Sequence, residues 1–577
     1  AEVIPGYRNI TDAVHRHGTP VFAQINHNGG QASSMYSRLP VWAPSPVADP
    51  LFREVPHEVD HREIAEIVAG YVLVAGHCKA GGFDGNELQC SHSSIVRGFL
   101  SPATNLRTDE YGGTLGNRAR LLLEIVAAVR DEIGRDLALG VRLCGDELIP
   151  NGSTIDEAVE VARLVEQQGM TDYINTSIGV ATASLFMIEA SMQVPPGYAL
   201  FIPSAIRKAV ELPVMGVGRF KDPLQADRAL AEGHCDLVGV VRGQIADAGF
   251  AAKARAGLVD DIRLCLSCNQ ECVGRMGLNR WLGCIENPLT GREGESAHVP
   301  NPVRPKKVVV VGAGPGGLQA AIAAAERGHE VIVLERDAQA GGQARIAAVV
   351  PSRSEFGDLV RNQVHAVRRL GIEVRFGVTA DRGAVLAERP GVVIVATGAE
   401  PGRPYWAPPD AERVVDCLHV LDGTASPHGT VIVVDELGFH QATSTAELLA
   451  DRGCSVTVVT PGMVVGQDLG ITLDLEHWNV KAAAKGIGQR TDLVPMRWAD
   501  ADDSEGGTLT LLHHPTGAHE EVRCDWVVLA VPGSPVEALF HELVGTPGIA
   551  VHRVGDAVAP RRAHAAVIEG QRAGASA

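Results

Sequence analysis

Four cysteines within one short segment, Cys265, Cys268, Cys272 and Cys284, constrain this chain more than any other feature. Their spacing is C-x2-C-x3-C-x11-C. Ligands this close oblige the backbone to wrap a single point. A cuboidal iron–sulfur cluster of the 4Fe-4S type needs that arrangement, one thiolate for each corner iron. Zinc is the rival occupant, although it more often uses two C-x2-C knuckles separated by a finger. Four unrelated core cysteines is the third reading, and it sits poorly with four of eleven cysteines falling in one segment. A cluster passes single electrons, so the spacing predicts two-electron cofactors elsewhere in the chain.

The 577 residues have room for three or four domains, and 45% hydrophobic content fits a full core. No apolar run reaches the length of a membrane span and no signal peptide is visible. A net charge of −18 argues against nucleic acid and anionic membrane as partners. The other seven cysteines show no paired framework. The expectation is a cytoplasmic protein in a reducing setting, acting on a small molecule.

Residues 1–250 alternate strands and helices. Strands are expected at Pro20–Asn26, Asp84–Cys90, Leu137–Cys144, Asp172–Ile178, Pro213–Val217 and Asp236–Val240, with helices such as Ile64–Ala80 and Arg118–Ile133 between them. Repeated βα units in an α/β chain indicate a (β/α)8 TIM barrel. Only six strands are counted, and the chain opens in a helix, so the first two βα units are expected to be absent. Polar residues gather at the strand ends that form a barrel's catalytic face. They include Gln24, Gln89, His92, Ser94 and Arg142. Gly218-Arg219 and Arg242 end the last two strands, and glycines with arginine there suit a phosphate. Arg142 could instead serve an ordinary ion pair, and His92 could be a hydrogen-bonded loop residue.

Residues 101–118 read Ser-Pro-Ala-Thr-Asn-Leu-Arg-Thr-Asp-Glu-Tyr-Gly-Gly-Thr-Leu-Gly-Asn-Arg. This run resembles the old yellow enzyme family of FMN barrels. With Cys265–Cys284 appended, the chain resembles its iron–sulfur flavoprotein branch, which contains 2,4-dienoyl-CoA reductase and trimethylamine dehydrogenase. The resemblance implies that Gln24 and Arg142 contact the FMN isoalloxazine, and that Gly218, Arg219 and Arg242 hold its phosphate. Gln89 and His92 then stand where the family grips its substrate. The Tyr and His acids of the reductase fall on Ser94 and Ala181. Alanine has no proton to give and an unassisted serine is a very weak acid, which leaves Ser94 a hydrogen-bonding role.

After a linker at Asn287–Lys307, an apolar strand leads into Gly312-Ala-Gly314-Pro-Gly-Gly317, a helix, and a second strand ending at Glu335. That context makes the glycine fingerprint a dinucleotide site, with Glu335 accepting from ribose hydroxyls. The resemblance adds Gly342, Gln343, Val378 and Asp556 around FAD, or around ADP in its place. A further βαβ pattern begins Thr430-Val-Ile-Val-Val-Asp435-Glu-Leu437-Gly438-Phe-His440. Asp435, Leu437 and His440 stand where glycines would serve NAD(P)H, so NAD(P)H binding is left open and a relic domain is expected. The expected domains are 1–260 (FMN barrel), 261–304 (cluster segment and linker), 305–405 (FAD, first part), 406–521 (degenerate NAD(P)-like insert) and 522–577 (FAD, second part). The resemblance gives a chain close to complete at its C-terminus.

Three functions follow. The first is oxidation of an N-methylated amine or small alcohol at FMN, with electrons passing through the cluster to an electron-transfer flavoprotein or another redox partner. The second is an NAD(P)H-dependent enoate or dienoyl-CoA-type reductase. The third is a truncated relay or binding subunit without turnover. The resemblance also implies a homo-oligomer.

Overall fold

Six parallel strands carry the first of two compact units in the computed structural model, which describes residues 1–296, 304–501 and 506–577. This unit comprises Ala1–Ala190 and Val194–Val241. Its strands are β1 (Phe22–Ile25), β2 (Gly85–Cys90), β3 (Ala138–Cys144), β4 (Tyr173–Ser177), β5 (Val214–Gly216) and β6 (Leu237–Val238). They lie side by side in sequence order, each pair parallel. All six expected strands are present, each slightly shorter than its sequence pattern. The sheet is open among the described residues, with β1 and β6 as its two edges.

Local chemistry explains the elements. Asp60 caps the helix His61–Ala80 by accepting from Glu63 N at 2.8 Å, and Glu63 returns a carboxylate oxygen to Asp60 N. That helix buries Ile64, Ile67, Tyr71, Ala75 and Cys78 at helical spacing and packs on Arg120–Ile133. Arg120–Ile133 in turn buries Leu121, Leu122, Ile125, Val126, Val129 and Ile133. Each such side chain contributes about 1.5–3 kcal/mol on burial. Every residue of β2 is buried, as expected of a parallel strand with neighbours on both sides. Register then assembles the site. Gln24 pairs with Glu87, Gln89 with Arg142, and Arg142 with Asn175. Glu87 and Gln89, two apart on one strand, point to the same face.

The second unit comprises Ser191–Gln193 and Arg242–Ala577. The expected linker is only partly covered, since residues 297–303 lie outside the described residues. One parallel sheet runs Glu373–Arg375, Glu330–Leu334, Lys307–Val311, Val392–Val395, Ala550–Arg553. Between the last two strands the chain builds another parallel sheet, in the order Val414–Asp416, Trp526–Ala530, Thr430–Asp435, Ser455–Val459, Gly488–Arg490. A three-stranded antiparallel sheet, Leu493–Asp500, Gly507–His513 and Ala518–Cys524, completes the insert. In the parallel sheet of this insert Trp526 pairs with Val431 and Ala530 with Asp435.

Candidate flavin and cysteine sites

Glu87 organises the C-terminal face of the first sheet. Its Oε1 accepts from Gln24 Nε2 at 2.6 Å, and its Oε2 accepts from Tyr173 Oη and Asn175 Nδ2, each at 3.0 Å. Gln89 Nε2 donates to Gln24 Oε1 at 3.4 Å, and Gln89 Oε1 accepts from the Ser91 hydroxyl. Gln24 and Gln89, two of the expected strand-end residues, thus join one network through Glu87. Glu87 itself escaped the sequence reading, although a carboxylate within a fully buried strand was a usable signal.

Polar atoms in this region lack partners: Arg142 Nε, His92 Nε2 and Asn175 Oδ1 are buried and make no hydrogen bond. Orphaned buried donors and acceptors are costly, and they mark where a polar ring would be received. They fit FMN and a substrate at this face. Burial, opposed by the Glu87 carboxylate, lowers the Arg142 pKa. Burial first, then the Arg142 and Arg97 cations, push His92 down to about 3. His92 is therefore a neutral imidazole at neutral pH. It sits at φ +50°. That left-handed conformation costs a non-glycine residue about 1–3 kcal/mol and persists only where the surroundings enforce it.

Ser94 is 1% exposed, and its Oγ accepts from Val96 N as N-cap of the helix Ile95–Leu100. Arg219 gives a guanidinium N–H to Val194 O, within the same unit as Gly218. A Cβ at Gly218 would be in van der Waals contact with Gly197 and Ala199, at 3.6–3.7 Å. Arg242, expected at the same phosphate, begins a helix of the second unit and donates from Nη1 to Asn269 Oδ1 at 2.6 Å.

The four cysteines line one small cavity together with Arg242, Ile245 and Glu286. Burial, followed by the charge of Cys272, raises the Cys268 pKa; burial and the charge of Cys265 raise that of Cys284. Thiols that repel one another as thiolates around a shared cavity form a donor set that fits a multivalent iron–sulfur or metal centre.

The glycine fingerprint forms strand, turn and helix, Lys307–Val311 into Pro315–Glu326. Gly312 has φ +104°, and a Cβ on Gly317 would strike Gly312 O. Gly314 differs: a Cβ there would meet nothing within 4 Å. It faces the open space that a pyrophosphate requires. Glu335 does not simply face the ligand. Its Oε2 accepts from Ala313 N at 2.5 Å and its Oε1 from Asp337 N at 2.8 Å, so it anchors the turn and keeps lone pairs for a ribose. Val378 N bonds Glu335 O at 2.8 Å. Gly342 begins the helix Gly342–Ala347 at φ +49°. Gln343 and Asp556 line a cleft of about 160 Å³ with Phe356, Phe439 and Gln270. Gln270 lies between Cys268 and Cys272, so the cleft adjoins the cysteine loop. Burial raises the Asp556 pKa.

The second fingerprint position is blocked from within. Asp435 is 0% exposed, and its carboxylate accepts from Gly438 N at 2.7 Å and Gly466 N at 2.9 Å. The Asp435 carboxylate is thus bound to one amide of its own turn, at Gly438, and to one from a distant segment, at Gly466. His440 turns to Asp474, Nε2 to Oδ2 at 3.0 Å.

A family model described as NADH:flavin oxidoreductase / NADH oxidase family matches residues 1–261, and one described as FAD dependent oxidoreductase matches residues 307–390. N,N-dimethylglycine/sarcosine dehydrogenase of Chromohalobacter salexigens is 33% identical, over 99% of this chain and 88% of that protein. NADH oxidase of Thermoanaerobacter brockii is 34% identical, over 96% and 84%. Histamine dehydrogenase from Rhizobium sp. 4-9 superposes with a TM-score of 0.91 at 27% identity, covering 99% of this chain and 86% of that one.

Proposed function

This chain belongs to the NADH:flavin oxidoreductase / NADH oxidase family and is a flavin-dependent oxidoreductase, and we propose that it works oxidatively, as a dehydrogenase of a small N-methylated amine. The observation that carries the direction is Asp435. A nicotinamide dinucleotide is held by turn amides that meet its pyrophosphate. Here Gly438 and Gly466 give theirs to a buried carboxylate. Electrons then enter from the organic substrate and leave through a redox partner, an electron-transfer flavoprotein being the suited class.

In this reading Gln24 and Arg142 meet FMN, Gly218 and Arg219 receive its phosphate, and Gly314 and Gln343 with Asp556 receive FAD. Cys265, Cys268, Cys272 and Cys284 hold a 4Fe-4S cluster. When bound, FMN supplies a two-electron acceptor and the cluster a one-electron relay. The chain's own residues set the substrate's protonation state. The buried, positively charged surroundings that keep His92 neutral also favour a neutral amine over an ammonium. Only the neutral amine has the lone pair that assists loss of a methyl hydride. His92 Nε2 and Gln89 orient that amine. Loss of hydride leaves an iminium ion, and water converts it to formaldehyde and the demethylated amine.

Turnover with an artificial one-electron acceptor tests this. Formaldehyde should appear with N-methylated amines, one for each pair of electrons transferred. Oxidation of NADH or NADPH by the same preparation at comparable rates, with no formaldehyde from amines, would favour the reductase.

A further inference from the structure

Three donors converge on one buried carboxylate in the first unit. Glu87 is 8% exposed; its Oε1 accepts from Gln24 Nε2 at 2.6 Å, and its Oε2 accepts from Tyr173 Oη and Asn175 Nδ2, each at 3.0 Å. An ionised carboxylate has no proton to give, so an amide side chain beside it turns its NH2 inward and its carbonyl oxygen away. Asn175 shows the consequence: its Oδ1 is buried and makes no hydrogen bond. Gln24 Oε1 is likewise turned from Glu87 and meets Gln89 Nε2 at a long 3.4 Å. Gln89 is held in the opposite sense, because its Oε1 accepts from Ser91 N and from the Ser91 hydroxyl. Strand register assembles the set. Gln24 lies opposite Glu87, Gln89 opposite Arg142, and Arg142 opposite Asn175. With Glu87 and Gln89 two apart on β2, all five side chains share one face of the sheet.

We propose that Glu87 is a positioning residue that sets the hydrogen-bonding polarity of the flavin-facing edge, forcing Gln24 and Asn175 to present carbonyl oxygens on the face that carries Arg142. This rests on the FMN reading above. The pyrimidine edge of an oxidised isoalloxazine has two carbonyl oxygens and a single N–H, at N3. That lone donor requires an acceptor, and the carbonyls require donors. Gln24 Oε1 is an acceptor of the kind N3–H requires, and Arg142 Nε, buried without a hydrogen-bond partner, is a donor of the kind the carbonyls require. A reversed Gln24 would set its NH2 against N3–H, donor against donor, and leave both unsatisfied. Gln24 is exposed and lies on β1, an edge strand, so its own strand has one neighbour to restrain it. Its polarity is decided by the carboxylate on β2, and Glu87 acts through it.

The test uses the full-length holoenzyme and two readouts: the FMN dissociation constant, and the N3–H magnetic resonance of bound FMN isotope-labelled at N3. Melting temperatures establish that each variant folds. In Glu87→Gln the new carbonyl keeps the two donors, Tyr173 and Asn175, and the new NH2 faces Gln24, which must turn. FMN affinity should fall about tenfold, the scale of one lost hydrogen bond, and the N3–H resonance should leave its wild-type position. The double variant Glu87→Gln/Gln24→Glu exchanges the pair. Position 24 then accepts from position 87 and still offers an acceptor to N3–H, so affinity and the N3–H resonance should both return close to wild type. A folded Glu87→Gln with wild-type affinity, or with weakened affinity and an unmoved N3–H resonance, overturns the proposal. So does a folded double variant as weak as Glu87→Gln, or failure of both to fold, which would make Glu87 a core-stability residue alone. Wild-type protein that binds no FMN would instead refute the flavin reading itself.

Discussion

His92 offers the sharpest quantitative test of the reaction centre. At an unperturbed pKa of 6.5, roughly one imidazole in four is protonated at pH 7. At about 3, only about one in ten thousand is. So weak a base contributes by hydrogen bonding through its unpartnered Nε2, and removing such a bond costs about 0.5–1.5 kcal/mol. His92→Ala should therefore slow anaerobic flavin reduction by substrate roughly tenfold. His92→Asn, which keeps a polar end, should recover most of that rate. The stopped-flow rate should show no step assignable to His92 between pH 5 and 9. The same shift acts on stability. The unfolded chain takes up this proton below about 6.5 and the native chain only near 3, so the contribution is complete above 6.5 and is lost as pH falls between them. A loss beyond about a hundredfold in His92→Ala, the scale of acid–base catalysis, together with a wild-type step near pH 6.5 that vanishes in the variant, would refute this reasoning.

Other outcomes follow from neighbouring geometry. Gly314→Ala should fold normally, since its Cβ has open space, yet purify with its FAD content greatly reduced; Gly317→Ala should lower the melting temperature because its Cβ strikes Gly312 O. Asp435→Ala should destabilise by about 1–3 kcal/mol, with faster hydrogen exchange at Gly438 and Gly466, because two turn amides lose a buried acceptor. Cys265→Ser should sharply lower iron and cluster absorbance, while Cys78→Ser, away from the cysteine cavity, should leave both intact.

The fold was largely legible. Apolar alternation and turn residues located all six strands of the first sheet, and the glycine fingerprint located its own strand–turn–helix. These signals are local, so they survive in sequence. What sequence concealed depends on distant residues. The His92 shift comes from burial and from Arg142, fifty residues on and on another strand. The hydrogen bond expected of Ser94 is made to Val96 N, at the start of the helix Ile95–Leu100. Asp435 looked like a surface obstruction because its acceptor bond to Gly466 joins segments 31 residues apart.

The direction of electron flow is the central claim, and anaerobic reduction of the bound flavins tests it most directly. Full-length holoenzyme is mixed in turn with a series of small N-methylated amines, NADH and NADPH, and flavin absorbance is followed. Rapid bleaching by an amine, with neither nicotinamide bleaching the flavins on the same timescale, is the predicted result. Rapid bleaching by NADH or NADPH, with no amine in the series acting, would contradict the account and establish the chain as a reductase.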